Sequence, residues 1–236
     1  MVLVATRNPL NIGAVARAMS NFGFLRLRVV NTYGVPFREA RSAVGAPELL
    51  QNAEEFASVA EAVADCSLVV GTSAVGSRQI EHPMYRLEAG GGLIREHLAA
   101  TNVALVFGSE KRGLSNDDLS YCHWLMRIPT REQHISMNLG QAAAVCLYEL
   151  IRSESLPVAA ASSTQATGAE LERMAETLLD ALQVSGYMKP GTEAATEEKV
   201  RRLIRRMDLD SADAETWTGM LAKMRMKPRM KPRSNA

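Results

Sequence analysis

The segment VALVFGSEKRGL occupies residues 103–114 and decides how the chain folds. Its first five residues are the most apolar strand candidate in the chain, and such a strand is typical of a sheet that is buried on both faces. Gly108 follows this strand directly, and Gly113 comes five residues later. An acid and two bases lie between the two glycines. A polar loop therefore leaves the carboxyl end of the strand, which is where open α/β sheets bind ligands.

Other short apolar runs alternate with helical patterns on both sides of this segment. We expect further strands over residues 2–5, 25–30, 67–71 and 124–128. We expect helices over residues 11–22, 47–64, 93–100, 116–121 and 138–152. The glycine run 90–92 precedes a helix but follows no strand, and it predicts a flexible loop. The alternation predicts an α/β domain over residues 1–152, with a mostly parallel sheet and helices on both faces.

The C-terminal part of the chain has a different composition. Residues 153–168 are small and polar, which predicts a linker. Residues 169–236 are expected to form a small helical basic extension, with helices over 169–186, 193–207 and 211–225 and a proline-broken tail. Residues 199–236 hold eleven Lys and Arg against four Asp and Glu, a charge of +7 that leaves −6 for the rest of the chain. A basic end on a mildly acidic body favours a polyanionic partner.

Four arginines of the second of these helices are spaced so that they form one stripe. They are Arg201, Arg202, Arg205 and Arg206. Such a stripe can neutralise the phosphates of RNA, and binding of that kind is sensitive to salt. Alternatively, the stripe packs against acidic residues of the body or of a second subunit. The sequence leaves both interpretations open.

Composition excludes several classes of protein. The 236 residues are 47% hydrophobic and 22% charged, with a net charge of +1. No run approaches the ~20 apolar residues that a membrane span needs, so we expect no membrane partner. The three cysteines and four histidines are scattered without metal-ligand spacing, so no metal is expected. Isolated cysteines fit a reducing compartment, which predicts a cytoplasmic protein.

Two more segments carry polar groups at predicted strand ends. The first has the pattern N-x-G-x-x-x-R, with Asn11 as a helix cap, Gly13 at a close backbone approach and Arg17 one turn further along. The second runs from Ile128-Pro129 to Ser136-Met137-Asn138-Leu139 and opens the last helix of the body. Each of them is also compatible with an ordinary helix start. Neither a G-x-G-x-x-G nor a P-loop pattern is present, which argues against a nucleotide-binding oxidoreductase.

Taken in order, N-x-G-x-x-x-R, F-G-x-E-x-x-G-L and I-P…S-x-N-L resemble the three signature segments of the SPOUT-class RNA ribose 2′-O-methyltransferases. The stretch Gly71-Thr72-Ser73-Ala74 and the basic extension resemble the TrmJ-like branch of that class, which methylates a ribose in the tRNA anticodon loop. The resemblance is strong over residues 1–152 and looser over the extension. One departure is that three residues separate Ala74 from Arg78, whereas family members commonly carry an Arg directly after Thr-Ser-Ala.

The resemblance implies a trefoil-knotted fold, S-adenosylmethionine as cofactor, RNA as substrate, with tRNA the expected kind, and an obligate homodimer. It implies that the cofactor is bound by Thr72, Ser73, Ala74, Gly108, Ile128, Ile135, Ser136 and Met137. It implies that the catalytic residues are Asn11, Arg17, Glu110, Ser136 and Asn138, and that Arg78 contacts RNA. In this hypothesis Arg17 reaches the cofactor of the other subunit, clamps an RNA phosphate and stabilises the alkoxide.

The remaining roles follow from the same resemblance. Asn11, Ser136 and Asn138 would position the ribose, and Glu110 would organise its loop or bind Arg17. Two alternatives share the fold: a methyltransferase that acts on ribosomal RNA, and an RNA-binding protein that has lost catalysis.

Overall fold

One parallel sheet organises the first two thirds of the chain. The computed structural model of the protein describes residues 1–30, 34, 36–73, 81–152 and 165–225. Its strands are Val2–Val4 (β1), Arg28–Val30 (β2), Glu54–Phe56 (β3), Leu68–Thr72 (β4), Met84–Arg86 (β5), Val103–Phe107 (β6) and Trp124–Arg127 (β7). Every pairing among these strands is parallel, and their order is β3-β2-β1-β6-β4-β7-β5. The predicted α/β fold is confirmed.

Helices cover both faces of this sheet and form the C-terminal extension. They are Pro9–Asn21 (α1), Pro47–Gln51 (α2), Val59–Ala62 (α3), Leu87–Leu98 (α4), Asn116–Ser120 (α5), Leu139–Ile151 (α6), Gly168–Ser185 (α7), Glu193–Arg205 (α8) and Ser211–Arg225 (α9). A single 3₁₀ turn, Glu132–His134, lies between β7 and α6. Helices α1, α2, α4 and α6 bury their apolar sides on one face of the sheet, and α3 and α5 bury theirs on the other.

The strand order brings the sequence motifs together. Strands β1, β6, β4 and β7 are consecutive neighbours in the sheet. Because they are parallel, the loops that follow them leave the sheet side by side at one edge. The first signature segment follows β1, the other two begin at the ends of β6 and β7, and Gly71–Thr72 ends β4. The topology therefore gathers all of them at one end of the molecule.

Two expectations about local structure are wrong. Residues 47–64 are not one helix, because α2 stops at Gln51 and β3 adds an edge strand beside β2. The Arg38 guanidinium donates through Nη1 to the carbonyl oxygens of Leu50 (3.0 Å) and Gln51 (2.7 Å), so the orphan carbonyls at the end of α2 are satisfied without further helix.

The glycine run 90–92 is not a loop but lies inside α4. A Cβ at Gly90 would stand 3.1 Å from the Trp124 ring, and one at Gly91 would stand 2.9 Å from Glu149 Cγ. The glycines therefore let α4 lie close to β7 and α6. Strand β5, just before α4, was not expected from the sequence.

The C-terminal helices have a hydrophobic core of their own. It consists of Ala166, Leu171, Met174, Ala175, Val200, Ile204, Ala214 and Leu221. The start of α7 is fixed to the body, since the Gly168 amide donates to Cys66 O (2.8 Å) and the Ala169 amide to Ala64 O (2.9 Å). The end of the predicted linker is thus packed. Residues 153–164 and the tail 226–236 lie outside the described residues. The division into two domains stays a prediction, which this separate core supports.

Within the part of the chain that the structure describes, no helix has both the length and the apolar character needed to cross a bilayer.

Candidate functional site

A cavity of about 680 Å³ opens at the carboxyl ends of β4, β6 and β7. The predicted cofactor residues that line it are Thr72, Ser73, Gly108, Ile128, Ile135, Ser136 and Met137. The predicted catalytic residues that line it are Asn11, Glu110, Ser136 and Asn138. Its apolar wall is formed by Phe107, Leu114, Leu119, Met126, Leu139, Ala142 and Cys146. Ala74 and Arg78 lie outside the described residues.

The loop after β6 folds back so tightly that a side chain at Gly108 has no space. A Cβ there would stand 2.1 Å from the Gly113 carbonyl carbon and 2.2 Å from the Leu114 amide nitrogen. Gly113 has φ +68°, and its amide donates to Ser109 O at 2.8 Å. Glycine is therefore required at the two positions for different reasons. Gly108 allows the close backbone approach, and Gly113 allows the left-handed turn.

A chain of hydrogen bonds joins the three signature segments at the rim of the cavity. Asn138 Nδ2 donates to Asn11 Oδ1 at 3.1 Å, and Asn11 Nδ2 donates to Glu110 Oε1 at 2.8 Å. The Glu110 carboxylate also accepts the backbone amides of Arg7 and Asn8, both at 3.2 Å. We call the side chains of Asn11, Glu110 and Asn138 the rim junction. It ties the loops after β1, β6 and β7 into one unit.

These contacts decide the ionisation of Glu110. Partial burial raises the pKa of this carboxyl, but the hydrogen bonds from the Asn11 side chain and from nearby backbone amides outweigh burial and leave the pKa below its usual range. Glu110 is therefore an anion at neutral pH. Of its two predicted roles, organising the loop is the one observed; among the described residues it makes no ion pair with Arg17.

The helix caps differ in one place from the sequence expectation. Asn8, not Asn11, caps α1: its Oδ1 accepts the Leu10 amide at 3.0 Å, and Pro9 takes the first helical position. Asn11 lies one turn inside the helix, which frees its side chain for the rim junction. Asn138 caps α6 as expected, through the amide of Gly140 at 2.9 Å.

The loop over residues 128–138 forms the outer wall of the cavity. Its residues from 131 to 138 are exposed, and the Thr130 hydroxyl donates to Ile135 O at 3.3 Å. Ile135 and Met137 are 40% and 37% exposed although both are apolar and line the cavity. The Ser136 hydroxyl has no hydrogen-bond partner among the described residues. This wall therefore presents apolar surface and a hydroxyl that a ligand can cover.

Two hydrogen bonds fix the end of β4 at the cavity. The Thr72 hydroxyl donates to Val106 O at 3.0 Å, and the Ser73 amide donates to Met126 O at 3.0 Å. These bonds hold β4 between β6 and β7 where the cavity begins.

Arg17 is the predicted catalytic residue that the structure places elsewhere. Its side chain is exposed on α1 and does not line the cavity of its own chain. Gly13, in the same motif, has the predicted close approach, because a Cβ there would stand 2.2 Å from Ser42 Oγ.

The four arginines of α8 do not form a continuous exposed stripe, so that expectation is wrong. Arg201 pairs with Asp117 (3.0 Å) and Glu172 (3.0 Å). Arg202 pairs with Glu81, and Arg205 pairs with Glu172 at 3.3 Å. The alternative interpretation, packing against acidic residues, describes these three, whereas Arg206 is exposed and has no partner in the described part of the chain.

Two cations at the cavity were not predicted from the sequence. Lys111 and Arg112 line its mouth, and both are exposed. They occupy the variable positions of F-G-x-E-x-x-G-L, where the pattern itself assigns no role. Arg131, exposed between two residues that line the cavity, adds a third positive charge to this edge. The closeness of all three to the motif loops was the signal that could have found them.

Known proteins share this architecture along nearly the whole chain. The model of the SpoU rRNA Methylase family matches residues 1–148. A relative from Klebsiella pneumoniae, named tRNA (cytidine/uridine-2′-O-)-methyltransferase TrmJ, is 36% identical in an alignment of 231 positions that covers 94% of each chain. A relative of the same name from Cronobacter sakazakii is 35% identical in an alignment of 242 positions that covers 98% of each chain.

Solved structures give the same result for the fold. The crystal structure of TrmJ from Z. mobilis superimposes with a TM-score of 0.84 at 32% identity and covers 94% of this chain and 97% of that one. A probable methylase family protein from Haemophilus influenzae gives a TM-score of 0.59 at 27% identity, with 94% of each chain covered. With its motif loops gathered at one cavity and its sequence matched from the first strand to α6, the chain belongs to the SpoU rRNA Methylase family.

Proposed function

We propose that the protein transfers a methyl group from S-adenosylmethionine to a ribose 2′-hydroxyl of tRNA, in the anticodon loop. The observation that carries this proposal is the rim junction, which joins all three signature segments around one cavity. The names of the relatives, which specify cytidine and uridine 2′-O-methylation of tRNA, support the choice of substrate.

The cavity fits the cofactor by size and by chemistry. Its volume of about 680 Å³ lies within the range of small-molecule sites, about 300–1,000 Å³. The apolar wall suits an adenine ring, and the tight loop over residues 108–114, which the missing Cβ at Gly108 permits, lines the cavity. We assign cofactor binding to the lining residues named above and to Ala74. When bound, S-adenosylmethionine supplies a methyl group that its sulfonium already activates for displacement.

The protein's own residues then have to orient the ribose and manage one proton. Ser136 offers a hydroxyl that has no partner in the described part of the chain, and Asn11 and Asn138 each keep one amide hydrogen free of the rim junction. We assign ribose positioning to these three. A guanidinium stays cationic across the physiological pH range and is a poor base. We therefore assign to Arg17 the clamping of an RNA phosphate and the stabilisation of the developing alkoxide, with removal of the 2′-hydroxyl proton shared by that phosphate.

The position of Arg17 supports a homodimer in which each site is completed by the other subunit. Arg17 lies two turns after Leu10 on the exposed side of α1, and α6 packs alongside that helix. Apolar side chains are exposed on both helices: Leu10 by 53%, Val145 by 38%, Tyr148 by 55% and Ile151 by 46%. We call this surface the α1–α6 face. Pairing two such faces buries the apolar side chains and brings each Arg17 towards the partner.

The knot is part of the same proposal. After β7 the chain passes through residues 128–138 at the cavity and continues as α6, which packs against both α1 and α4. This path of the chain supports a knot in which the segment after β7 is threaded through a loop.

Replacing Tyr148 with aspartate should dissociate the dimer. The substitution places a charge in the middle of the α1–α6 face, and loss of a central aromatic residue weakens an interface by about 2 kcal/mol or more, which is roughly 30-fold in Kd. Analytical ultracentrifugation measures the change. Tyr187→Asp is the matched control, because Tyr187 is 64% exposed in the extension. A Tyr148→Asp protein that stays dimeric at the same concentration contradicts this interface.

We assign the RNA contacts to the cations that are exposed. Lys111 and Arg112 line the cavity, Arg131 lies in the loop that forms its outer wall, and Arg206 lies on the extension. Each can neutralise one phosphate, which makes affinity fall with salt. Arg78 is assigned here only by the resemblance.

Replacing Glu110 with glutamine should loosen the rim junction. The amide cannot accept the Asn11 and backbone donors as a carboxylate does, so we expect cofactor binding about tenfold weaker. Because the pKa of Glu110 is lowered in the folded protein, its contribution is complete at neutral pH and is lost only below about pH 4.3, the ordinary value for glutamate. Calorimetric titration with S-adenosylhomocysteine measures both effects, and Glu132→Gln, an exposed acid in the neighbouring loop, is the control. Equal affinities for Glu110→Gln and Glu132→Gln contradict the role of the junction.

Ribosomal RNA is the second candidate substrate, because the matching family is described as rRNA methylases. An RNA-binding protein without catalysis is disfavoured by the complete rim junction.

We also propose a cytoplasmic location, which the three buried free thiols favour. Burial raises the pKa of Cys122 and of Cys146 to about 12, so neither is a reactive thiolate.

The reaction is tested with purified protein, methyl-labelled S-adenosylmethionine and mixed tRNA. Digestion of the tRNA to nucleosides should place the label in 2′-O-methylribose. Label in a base contradicts the proposed chemistry.

A further inference from the structure

Two arginines of α8 contact three side chains: Asp117 and Tyr121 of the body, and Glu172 of α7. Arg205 is buried, with a side chain only 1% exposed, and its guanidinium lies 5.3 Å from the centre of the Tyr121 ring. Arg201 lies 4.8 Å from the same ring and bonds both Asp117 and Glu172. We call Arg201, Arg205, Tyr121, Asp117 and Glu172 the α5–α8 clamp. It is one of the places where the extension contacts the body, together with the start of α7 and the Arg202–Glu81 pair.

The helix that the clamp holds is also part of the cavity. Tyr121 is the C-cap of α5, and Asp117 lies in its first turn. Helix α5 follows the loop that begins at Gly108, and a capping box between Ser115 and Asp118 connects that loop to the helix. Leu119 of α5 lines the cavity. A shift of α5 therefore moves both a wall of the cavity and the end of the loop that closes over Gly108.

The clamp is not explained by stability alone. Arg205 Nε and Nη1 are buried without a hydrogen-bond partner among the described residues, and Glu172 accepts from both arginines. A buried ion pair with unsatisfied donors adds little to folding compared with apolar residues of the same volume. What it does provide is a defined orientation, since a guanidinium stacked on a ring and bonded to a carboxylate is fixed in both distance and angle.

We propose that Arg201 and Arg205 are positioning residues that hold α5 and the loop over residues 108–115 in the conformation that binds the cofactor. The inference rests on the proposed function. In this proposal the extension affects the cofactor site, in addition to any contact that it makes with RNA. The two arginines, which the sequence suggests as phosphate contacts, instead fix the shape of the cavity. Removing them should weaken cofactor binding in the absence of RNA.

The test replaces the two guanidiniums by apolar side chains of similar length, in the full-length protein. The variants are Arg205→Met and the double variant Arg201→Met/Arg205→Met; Lys199→Met, an exposed cation on the same helix, is the matched control. Circular dichroism and the urea midpoint report folding. Calorimetry with S-adenosylhomocysteine reports cofactor affinity, and the salt dependence of tRNA binding reports phosphate contacts.

We expect the double variant to bind S-adenosylhomocysteine about tenfold more weakly, a size typical of coupling through one packed element. The salt slope of tRNA binding should stay unchanged, and Lys199→Met should match the unmodified protein in cofactor affinity. In turnover, KM for the cofactor should rise more than KM for tRNA.

Two results overturn the proposal. One is a folded double variant whose cofactor affinity stays within twofold of the unmodified protein. The other is a salt slope that falls by about two with cofactor affinity unchanged, which identifies Arg201 and Arg205 as phosphate contacts. Should the double variant not fold, Arg205→Met decides by the same criteria, because it keeps the bonds of Arg201 to Asp117 and Glu172. If the unmodified protein itself binds no cofactor, the proposed function fails instead.

Discussion

Replacing Arg17 with alanine is expected to reduce kcat about 10²–10³-fold, the usual effect of removing a group that stabilises a developing oxyanion. Cofactor affinity should change little, because Arg17 is exposed on α1 and does not line the cavity of its own chain. Arg173→Ala, which removes an exposed cation from α7, is the control for net charge. Single-turnover transfer to tRNA measures the rate. Near-normal turnover by folded Arg17→Ala protein contradicts the proposed role.

Mixed dimers show whether Arg17 acts across the interface. A subunit with Arg17→Ala keeps its cavity, and a subunit with Gly108→Ala keeps its Arg17. Coexpressed in equal amounts they should recover about a quarter of normal activity, because half of the dimers are mixed and each of these has one intact site. No recovery above the two inactive parents contradicts a shared site.

Gly108→Ala should abolish cofactor binding, with an affinity loss of about 100-fold or more. The added methyl group would lie 2.1 Å from the Gly113 carbonyl carbon and 2.2 Å from the Leu114 amide nitrogen. These are backbone atoms, so the whole loop has to move, and a loop displaced by about 1 Å at a binding site loses affinity steeply. Calorimetry with S-adenosylhomocysteine gives the loss directly.

Gly92→Ala is the matched control for this glycine. A Cβ at Gly92 meets nothing closer than Arg95 Nη2 at 3.9 Å, and the position lies within α4. Alanine there should leave binding unchanged and raise the free energy of unfolding by up to about 1 kcal/mol through helix propensity. If Gly108→Ala binds as tightly as Gly92→Ala, the loop after β6 does not form the cofactor site.

The sheet and the cavity followed from sequence because they depend on local signals. A run of apolar residues such as Val103–Phe107, ended by glycine, is typical of a buried strand and its exit loop, and parallel strands place such loops at one edge. For the same reason most predicted cofactor residues line one cavity. Which asparagine caps α1 was misassigned because Asn8 and Asn11 are both good caps, and only Pro9 at the first helical position separates them.

What could not be predicted depends on contacts between distant segments. Residues 90–92 look like a loop until Trp124 and Glu149 are placed against them, since glycine lowers helix propensity but permits close packing. The charges of Arg201 and Arg205 suggested side chains that are exposed to solvent and contact RNA. Nothing in the sequence shows that Tyr121 and Asp117 lie against Arg201 in the folded protein. Helix periodicity shows which residues share a face but not what covers that face.

Methyl transfer to size-sorted RNA tests whether the protein methylates a ribose of tRNA. The purified protein is incubated with S-adenosylmethionine tritiated in its methyl group and with total bacterial RNA, and the RNA is then separated by size and hydrolysed with alkali. We expect label in the tRNA fraction, retained in one alkali-resistant dinucleotide because a methylated 2′-oxygen cannot attack its phosphate. Label confined to large ribosomal RNA contradicts the substrate, and an absence of both label and cofactor binding contradicts the methyltransferase itself.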